Sequence, residues 1–325
     1  MLVMGIESTA HTFGVGIVSD GKIIANEKEM YKIGTEGMIP SKVAEYHINN
    51  APIVVERALK SAGVNLNEIE GIGYACGPGL GPCLQVGELT AKSIATRLGI
   101  KIAQVNHPVA HVEVARKHAK MKDPLVLYVS GGNSQILKTV RKPFLHYSVF
   151  GETMDIGVGN MLDNFARALK LNPAWGSTVA KTAENGKYVP LPYTVKGTEF
   201  SFTGLLTSAT KHIGSESARD LCYSIQETAF AMLCEATERV MMLTNAKELC
   251  VCGGVGQSTR LKEMLAAMAT SHNAKLGFAP NEFNADNGAM IAVVAEDMLR
   301  KGMSTKISEC SINQRYRIDR AELAW

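Results

Sequence analysis

Apolar and polar residues follow two different periods along this chain, and together they predict short strands alternating with helices. The first 30 residues contain three apolar runs rich in Val and Ile, separated by "STAHT" and by Asp20-Gly21, a dipeptide typical of hairpin turns. A helical period follows from about Lys42 to Ser61. After it come a buried-type strand in "IGYACGPG", a helix in "VGELTAKSIATRLG" and a strand in "KIAQV". This alternation predicts a parallel sheet with crossover connections.

The same order of elements begins again in the second half of the chain. "DPLVLYVSGGNSQILKTV" repeats the strand, the small-residue turn and the strand of the opening, and "HYSVF" adds a third strand. Helices are predicted in "GNMLDNFARALKL" and "DLCYSIQETAFAMLCEATERVMMLT", followed by a strand in "ELCVCGG" and a helix in "STRLKEMLAAMATS". Two α/β lobes around a cleft predict a fold like that of sugar kinases, actin and the chaperone ATPases, in which ligands bind beyond the carboxyl ends of the strands.

We expect an N-terminal lobe at residues 1–122 and a C-terminal lobe that carries the nucleotide site at residues 123–293. The segment from about 294 to 325 is expected to pack back on the first lobe. Residues 172–208 are rich in Gly, Pro, Thr and Tyr and show little periodicity. A long irregular segment of this kind within a compact domain is often functional.

Composition narrows the class of protein. The 325 residues are 46% hydrophobic and 20% charged, which is typical of a globular protein with an ample core. The net charge of +3 is mildly basic and suits a protein that shares a nucleic-acid ligand with a partner. We expect no membrane contact and a cytoplasmic location, because no apolar run reaches the length of a membrane span. The seven cysteines include no Cys-x-x-Cys and are expected to be structural thiols.

Three Gly-rich turns follow strands in the second half: "YVSGGNS" at 128–134, "GETMDIGVGN" at 151–160 and "CGGVGQS" at 252–258. Glycine lets a backbone approach a phosphate closely, and N–H groups at a helix start attract the anion. Tight connections need glycine anyway, so only the three together favour nucleotide binding. On the helix after the second turn, Asp163 lies off the apolar stripe. It either pairs with Arg167 one turn later or reaches a ribose hydroxyl.

Two histidines four residues apart, His107 and His111, lie in "VNHPVAHVEV", where Asn-His-Pro marks a helix start. Side chains at this spacing share a helix face and can bind one metal ion, but such pairs are also common without a metal. Further candidate ligands are Tyr128, at the carboxyl end of an apolar strand, and Asp286, ahead of an apolar helix in "DNGAMIA". Helix capping competes for Asp286.

A set of motifs occurs in one order along the chain: "GIESTAHTFGVGIV", "GPGLGPCLQVG", "NHPVAH", "YVSGGNSQ", "FGETMDIGVGNMLDNFARAL", "FSFTGLL", "QETAFAML" and "DNGAMIA". With them the chain resembles the universal tRNA N6-threonylcarbamoyladenosine synthase family, and most of all its archaeal and eukaryotic branch, the catalytic subunit of the KEOPS complex. The resemblance extends over nearly the whole chain, out to "QRYRIDRAELAW". It implies the actin-like fold of the acetate and sugar kinase superfamily.

The resemblance implies that His107, His111, Tyr128 and Asp286 hold one metal ion, iron or zinc, and this donor set suits either metal. It also implies an adenine-nucleotide site, with threonylcarbamoyl-AMP as the substrate and ATP or AMP as its analogue. The residues that it assigns to this site are Tyr128, Ser130, Gly131, Gly132, Asn133, Asp163, Gly176, Gly253, Gly254 and Ser258.

Two positions depart from the family pattern. Ala180 stands where the family commonly has Glu, four residues after Gly176, and its side chain cannot accept a hydrogen bond from a ribose hydroxyl. Ser258 stands where the family has Asn and can replace part of the role of the amide. Neither change touches the metal ligands.

The implied reaction transfers a threonylcarbamoyl group from its mixed anhydride with AMP to N6 of the adenosine next to the tRNA anticodon. We expect positioning and metal polarisation of the carbonyl to supply much of the rate. No catalytic residue is assigned beyond the metal site, and Lys196 and Glu199 are candidates for proton transfer only. The alternatives are a small-molecule kinase or ATPase of the same superfamily, a nucleotide-dependent scaffold, and a metalloprotease. The last is disfavoured because the helix lacks His-Glu-x-x-His.

The resemblance also implies partners. They are tRNA and the KEOPS subunits, namely an atypical small kinase/ATPase, a small dimerising subunit and a further small subunit. By analogy, the helices at about 42–61 and 88–98 are expected to be docking surfaces.

Overall fold

The structure is a computed structural model that describes residues 1–32 and 38–324. Trp325, the last residue of "QRYRIDRAELAW", lies outside the described residues. The described strands are β1 (Leu2–Glu7), β2 (Thr12–Ser19), β3 (Lys22–Met30), β4 (Gly71–Gly77), β5 (Lys101–Asn106), β6 (Leu125–Val129), β7 (Ser134–Val140), β8 (His146–Glu152), β9 (Val195–Lys196), β10 (Glu199–Phe200), β11 (Glu248–Cys252) and β12 (Lys275–Phe278).

The helices come between these strands in the alternating order that the periodicity predicts. They are α1 (Pro40–Ala62), α2 (Gly81–Leu98), α3 (His107–His118), α4 (Val158–Ala168), α5 (Gly176–Thr182), α6 (Thr203–Lys211), α7 (Ala218–Thr244), α8 (Thr259–Ser271), α9 (Asn281–Asn284) and α10 (Gly288–Arg300). The three opening strands, the long first helix and the repeated strand order are thereby confirmed. The irregular segment 172–208 contains the short helix α5, the two-stranded β9–β10 ribbon and the start of α6.

The described chain forms two compact units. The first contains residues 1–114, 140–147 and 285–325, and the second contains residues 115–139 and 148–284. Residues 294–324 thus lie in the first unit. The predicted lobe boundaries at residues 122 and 293 stay a prediction. They follow from the repeated order of elements, whereas the two compact units are defined by contacts between residues.

The first unit is built on a five-stranded sheet in the order β3-β2-β1-β4-β5. Strand β1 is antiparallel to β2 and parallel to β4, which is parallel to β5, so the carboxyl ends of β1, β4 and β5 share one edge. Helix α10 lies against β1 and β2. It approaches so closely that a Cβ atom on Gly16 would be 2.2 Å from the backbone nitrogen of Ala289. Glycine in β2 is therefore required for this packing.

The second unit is built on a five-stranded sheet in the order β12-β11-β6-β7-β8. Strand β11 is parallel to β6 and to β12, whereas β6 and β7 are antiparallel. The carboxyl ends of β6 and β11 therefore meet at one edge, where the first and third Gly-rich turns begin. The core of this unit joins the sheet to α4 and α7 through Leu127, Phe165, Ile225 and Phe230, all of which are buried.

The described chain bears on the expectations about membrane spans and about cysteines. None of its helices is long and apolar enough to cross a lipid bilayer. The seven cysteines all lie in the described ranges, none of them forms a disulfide, and six are buried. The prediction that they are structural thiols is confirmed.

Candidate metal centre and nucleotide-binding turns

Helix α3 begins directly after β5, at the sheet edge where parallel strands end. The side-chain oxygen of Asn106 accepts a hydrogen bond from the N–H of Val109 at 3.1 Å and caps the helix start. Pro108 fits the first turn because its missing N–H needs no partner there. The cap fixes the first turn, so His107 and His111 are presented together on one face of α3.

His107, His111 and Asp286 form a possible metal site within the first unit. One ligand atom from each lies within 4.8 Å of the others. The carboxylate oxygen Oδ1 of Asp286 is 3.2 Å from Nε2 of His111 and 3.6 Å from Nε2 of His107. The two imidazole rings are nearly perpendicular, with centroids 4.7 Å apart. Two nitrogens and a carboxylate oxygen that converge in this way suit iron or zinc.

Helix capping does not occupy the carboxylate of Asp286. The cap of α10 is the neighbouring Asn287, whose side-chain oxygen accepts from the N–H of Met290 at 3.0 Å. Both histidine side chains are almost fully buried, whereas the Asp286 side chain is 22% exposed. Asn287 therefore caps α10, and the carboxylate of the preceding residue, Asp286, faces the two histidines.

Glu7, which the sequence pattern did not single out, contacts His107 at Nδ1, the ring nitrogen that does not face Asp286. Its carboxylate is buried at the end of β1, and Oε2 is 2.8 Å from Nδ1 of His107. The other oxygen accepts hydrogen bonds from the N–H and the hydroxyl of Thr9. A charged residue that ends an apolar strand was the available signal, because a buried carboxylate needs a partner.

These contacts set the charge of the centre in the metal-free chain. Burial disfavours the charged ring of His107, but the carboxylates of Glu7 and Asp286 outweigh burial and raise the pKa of His107 to about 9. Burial lowers the pKa of His111. Burial alone would raise the pKa of Asp286, but the charge of His107 and the hydrogen bond with His111 outweigh it and lower that pKa. A metal ion must therefore displace a proton from His107.

We expect the apparent affinity of the chain for Zn(II) to rise with pH up to about 9, because His107 must lose one proton before Nε2 can bind the ion. The slope should approach about tenfold per pH unit below that pKa. Competition with a chromophoric chelator of known proton affinity, between about pH 6.5 and 8.5, measures it. An affinity that does not change over this range would contradict the assignment of His107 as a ligand.

The first two Gly-rich turns contact each other in the second unit. The N–H groups of Gly159 and Asn160, in the first turn of α4, donate to the carbonyls of Ser130 and Gly131 at 3.2 and 2.9 Å. A Cβ atom on Gly157 would be 2.4 Å from the carbonyl oxygen of Gly131. Glycine at position 157 is thus needed to bring these turns together. Nothing lies within 4 Å of a Cβ atom built on Gly132, which leaves open space beside that backbone.

The third turn joins the same edge through Gly253. This residue has a φ of 93°, and its Cβ atom would lie 2.3 Å from the carbonyl oxygen of Val129, the last residue of β6. Only glycine fits this conformation and this approach. Gly254 is exposed. Ser258 caps α8 by accepting from the N–H of Leu261, so its hydroxyl has a structural role.

Asp163 is tied to the start of α5. Its Oδ1 accepts from the N–H of Gly176 at 2.7 Å, while the guanidinium of Arg167 donates to Asn164. Asp163 and Gly176, which were predicted near a ribose, are thereby brought into contact. Ala180 is half-buried on α5, one turn after Gly176.

A second carboxylate that the sequence pattern missed is Asp155, in "GETMDIG". It accepts from the N–H groups of Phe202 and Thr203, each at 2.9 Å, and from the hydroxyl of Ser201. Burial would raise the pKa of Asp155, but these hydrogen bonds outweigh it and lower that pKa. Asp155 therefore fastens the second Gly-rich turn to the start of α6.

Tyr128 belongs to the second unit. It is buried in β6, where it pairs with Cys252 of β11 and Gln135 of β7, and Ser130 follows two residues later. Its participation in a metal site stays a prediction. The candidates for proton transfer, Lys196 and Glu199, are exposed on the β9–β10 ribbon and pair across it.

The two-sheet arrangement is that of the actin-like class of α/β proteins, as predicted. The chain is similar to the solved structure of an activator of 2-hydroxyisocaproyl-CoA dehydratase from Clostridium difficile with bound ADPNP, with a TM-score of 0.55 and 14% identity over 93% of this chain and 97% of that chain. It is also similar to T. kodakarensis HypF, with a TM-score of 0.61 and 14% identity over 90% of this chain and 46% of that chain. At this identity the likeness shows the fold alone.

The comparisons with known sequences are more specific. A sequence model described as "tRNA N6-adenosine threonylcarbamoyltransferase" matches residues 21–293. Relatives of that name are 41% identical in Sulfurisphaera tokodaii, over 100% of this chain and 98% of the relative, and 43% identical in Methanopyrus kandleri, over 100% and 96%. The chain belongs to the tRNA N6-adenosine threonylcarbamoyltransferase family, a family of enzymes.

Proposed function

We propose that this chain transfers a threonylcarbamoyl group from threonylcarbamoyl-AMP to N6 of the adenosine next to the anticodon of tRNA. The observation that carries the proposal is the convergence of His107, His111 and Asp286 in a chain that matches relatives of this family over its full length. The Gly-rich turns at the ends of β6 and β11 add support, because they offer a close backbone approach for an anion.

His107, His111 and Asp286 would hold an iron or zinc ion, with Tyr128 as the proposed fourth ligand. Such an ion, when bound, supplies Lewis-acid polarisation of a carbonyl oxygen. The residues of the chain do the rest. Oε2 of Glu7 lies 2.8 Å from Nδ1 of His107, and Asn106 and Asn287 fix the helix starts that present the ligands.

The first Gly-rich turn would bind the phosphate of the AMP group. In this turn the N–H of Ser130 donates to the carbonyl of Asn133 at 2.7 Å, and the Ser130 hydroxyl accepts from the Asn133 N–H at 3.1 Å. Two hydrogen bonds therefore close the loop on itself, while Gly131 and Gly132 remain exposed at its tip. A mixed anhydride carries its own leaving group, so a binding loop that orients it can account for much of the rate.

The test is an assay of threonylcarbamoylation of tRNA by the purified chain, alone and with its partner subunits. Transfer that needs threonylcarbamoyl-AMP and a metal supports the proposal. ATP turnover driven by a sugar or carboxylate, without tRNA modification, would favour the small-molecule kinase instead. Peptide cleavage is not expected, because Pro108 follows His107 where a zincin has its catalytic Glu.

We propose the KEOPS subunits as partners, with the outer faces of α1 and α2 as docking surfaces. Three large apolar side chains are exposed there: Ile48 (60%), Ile53 (54%) and Leu89 (62%). Exposed apolar side chains of this size are typical of interaction surfaces when they occur together. A relative in Thermoplasma volcanium, 40% identical, is named a probable bifunctional tRNA threonylcarbamoyladenosine biosynthesis protein, and this chain spans 62% of it.

We expect the isolated chain to bind tRNA weakly and with a strong dependence on salt. A net charge of +3 neutralises few phosphates, and each phosphate contact releases counterions on binding. Filter binding over a series of KCl concentrations measures this, and the assembled complex should bind more tightly at every concentration. Tight binding by the chain alone that is insensitive to salt would contradict the expectation.

A further inference from the structure

The two oxygens of the Glu7 carboxylate have different partners. The Glu7 side chain is wholly buried at the end of β1. Oε1 accepts from Thr9 twice, from the N–H at 2.7 Å and from the hydroxyl. Oε2 lies 2.8 Å from Nδ1 of His107. Because both donors of Thr9 point at Oε1, the carboxylate is held in one orientation, and Oε2 faces the imidazole ring.

We propose that Glu7 is a positioning residue for the metal site: held by Thr9, it keeps a proton on Nδ1 of His107 and so leaves Nε2 as the ligand nitrogen. The inference rests on the metal site of the proposed function and deepens it. The geometry agrees, because Nε2 of His107 and Nε2 of His111 both face Oδ1 of Asp286, at 3.6 and 3.2 Å. A carboxylate behind a ligating imidazole fixes its tautomer and orientation and raises its basicity.

A simpler role for Glu7 is an ion pair that only stabilises the fold. The two roles differ in the result expected for Glu7→Gln, which keeps the shape and removes the charge. Both donors of Thr9 require an acceptor, so the amide oxygen of Gln takes the position of Oε1, and the amide NH2 then faces His107. The other polar atom beside Nδ1, the Thr9 hydroxyl oxygen, is farther away at 3.4 Å. We therefore expect Nδ1 to accept the hydrogen bond from the amide, which places the ring proton on Nε2, the ligand nitrogen.

The experiment uses the full chain with 15N-labelled histidine and Zn(II) as the metal. We expect Glu7→Gln to lower the affinity for Zn(II) by about 10- to 100-fold, measured by competition with a chelator. In the zinc-free variant, the 15N spectrum should show Nδ1 of His107 without a proton, whereas the wild-type chain keeps it.

The matched control is Glu113→Gln. Glu113 is also a buried carboxylate on α3, and it accepts a hydrogen bond from the hydroxyl of Tyr147 at 2.6 Å. This variant should bind Zn(II) as the wild type does. If it loses as much affinity as Glu7→Gln, or if Glu7→Gln keeps wild-type affinity and the Nδ1 proton, the proposal is wrong.

Glu7→Asp covers the case in which Glu7→Gln does not fold, because it retains the buried charge. The side chain of Asp is shorter by one methylene group, roughly 1.5 Å, so its carboxylate cannot reach Nδ1. Positioning predicts a reduced affinity for Zn(II), whereas wild-type affinity would show that charge alone matters and would overturn the proposal. These measurements use neither tRNA nor nucleotide. If the variants differ from the wild type in zinc binding as expected, but the wild-type chain does not modify tRNA, the proposed function is wrong and the role of Glu7 still holds.

Discussion

Replacement of both His107 and His111 by Ala is expected to abolish metal binding and to reduce tRNA modification by at least about 10³-fold, the scale on which loss of a main electrostatic contribution to catalysis lowers a rate. The double change removes both nitrogens that face Asp286 and leaves Asp286 and the proposed ligand Tyr128. Two oxygen donors are too few to hold iron or zinc tightly. Elemental analysis of the purified variant measures the metal, and the tRNA assay measures the activity.

The double variant should still fold, although with lower stability. Loss of His107 leaves the buried carboxylate of Glu7 without its ring partner, and breaking a buried ion pair costs about 3–5 kcal/mol. The apolar core of the first unit does not depend on either histidine, since it is formed by residues such as Ile6, Ile72 and Val54. A thermal melt should therefore remain cooperative at a lower midpoint.

His118→Ala is the matched control for this experiment. His118 lies at the end of the same helix and stacks on Phe283 in the second unit, with ring centroids 4.9 Å apart. This variant should keep its metal and its activity. A folded double variant of His107 and His111 that still carries one metal ion per chain would show that the ligands lie elsewhere, and the metal-assisted transfer would be wrong with them.

The second large effect is expected from Gly132→Val, which should lower the affinity for ATP or AMP by more than about 100-fold. One bulky side chain at the point where a phosphate approaches the backbone is enough to prevent that approach. The substitution should not disturb the fold, because nothing lies within 4 Å of a Cβ atom at this position. Isothermal titration calorimetry measures the affinity, and a thermal melt checks the fold.

Gly204→Val is the control, since its Cβ atom also meets nothing within 4 Å and it lies on α6, outside the three turns. It should bind nucleotide as the wild type does. Gly157→Val, by contrast, should destabilise the chain, because its Cβ atom would be 2.4 Å from a backbone oxygen. Unchanged affinity in a folded Gly132→Val variant would remove the first turn from the nucleotide site.

Much of the local structure could be predicted from the sequence. The three opening strands, the helices around Lys42 and after Gly159, and the start of α3 depend on periodicity and on capping residues, which act over a few positions. The actin-like class was predicted from the repeated order of these elements and from a resemblance, and the fold confirms it. The pairing of His107 with His111 also needs only helical spacing, because residues four apart share one face.

The partners of those histidines were decided by the tertiary structure. Glu7 and His107 are 100 residues apart, and they meet because β1 and β5 lie on either side of β4 in a parallel sheet, so that their carboxyl ends share one edge. No local pattern specifies that strand order. Likewise, two neighbours, Asp286 and Asn287, could each cap α10, and only the packed structure shows that Asn287 does so.

The sequence by itself therefore determined the strongly periodic helices and strands outside residues 172–208, and which residue types are available for metal and phosphate chemistry. Tertiary structure decided which of them meet. Periodicity and caps act within one element, whereas carboxylates such as Glu7 and Asp155 take partners from segments far along the chain. For Glu7, which is wholly buried, burial makes such a partner obligatory.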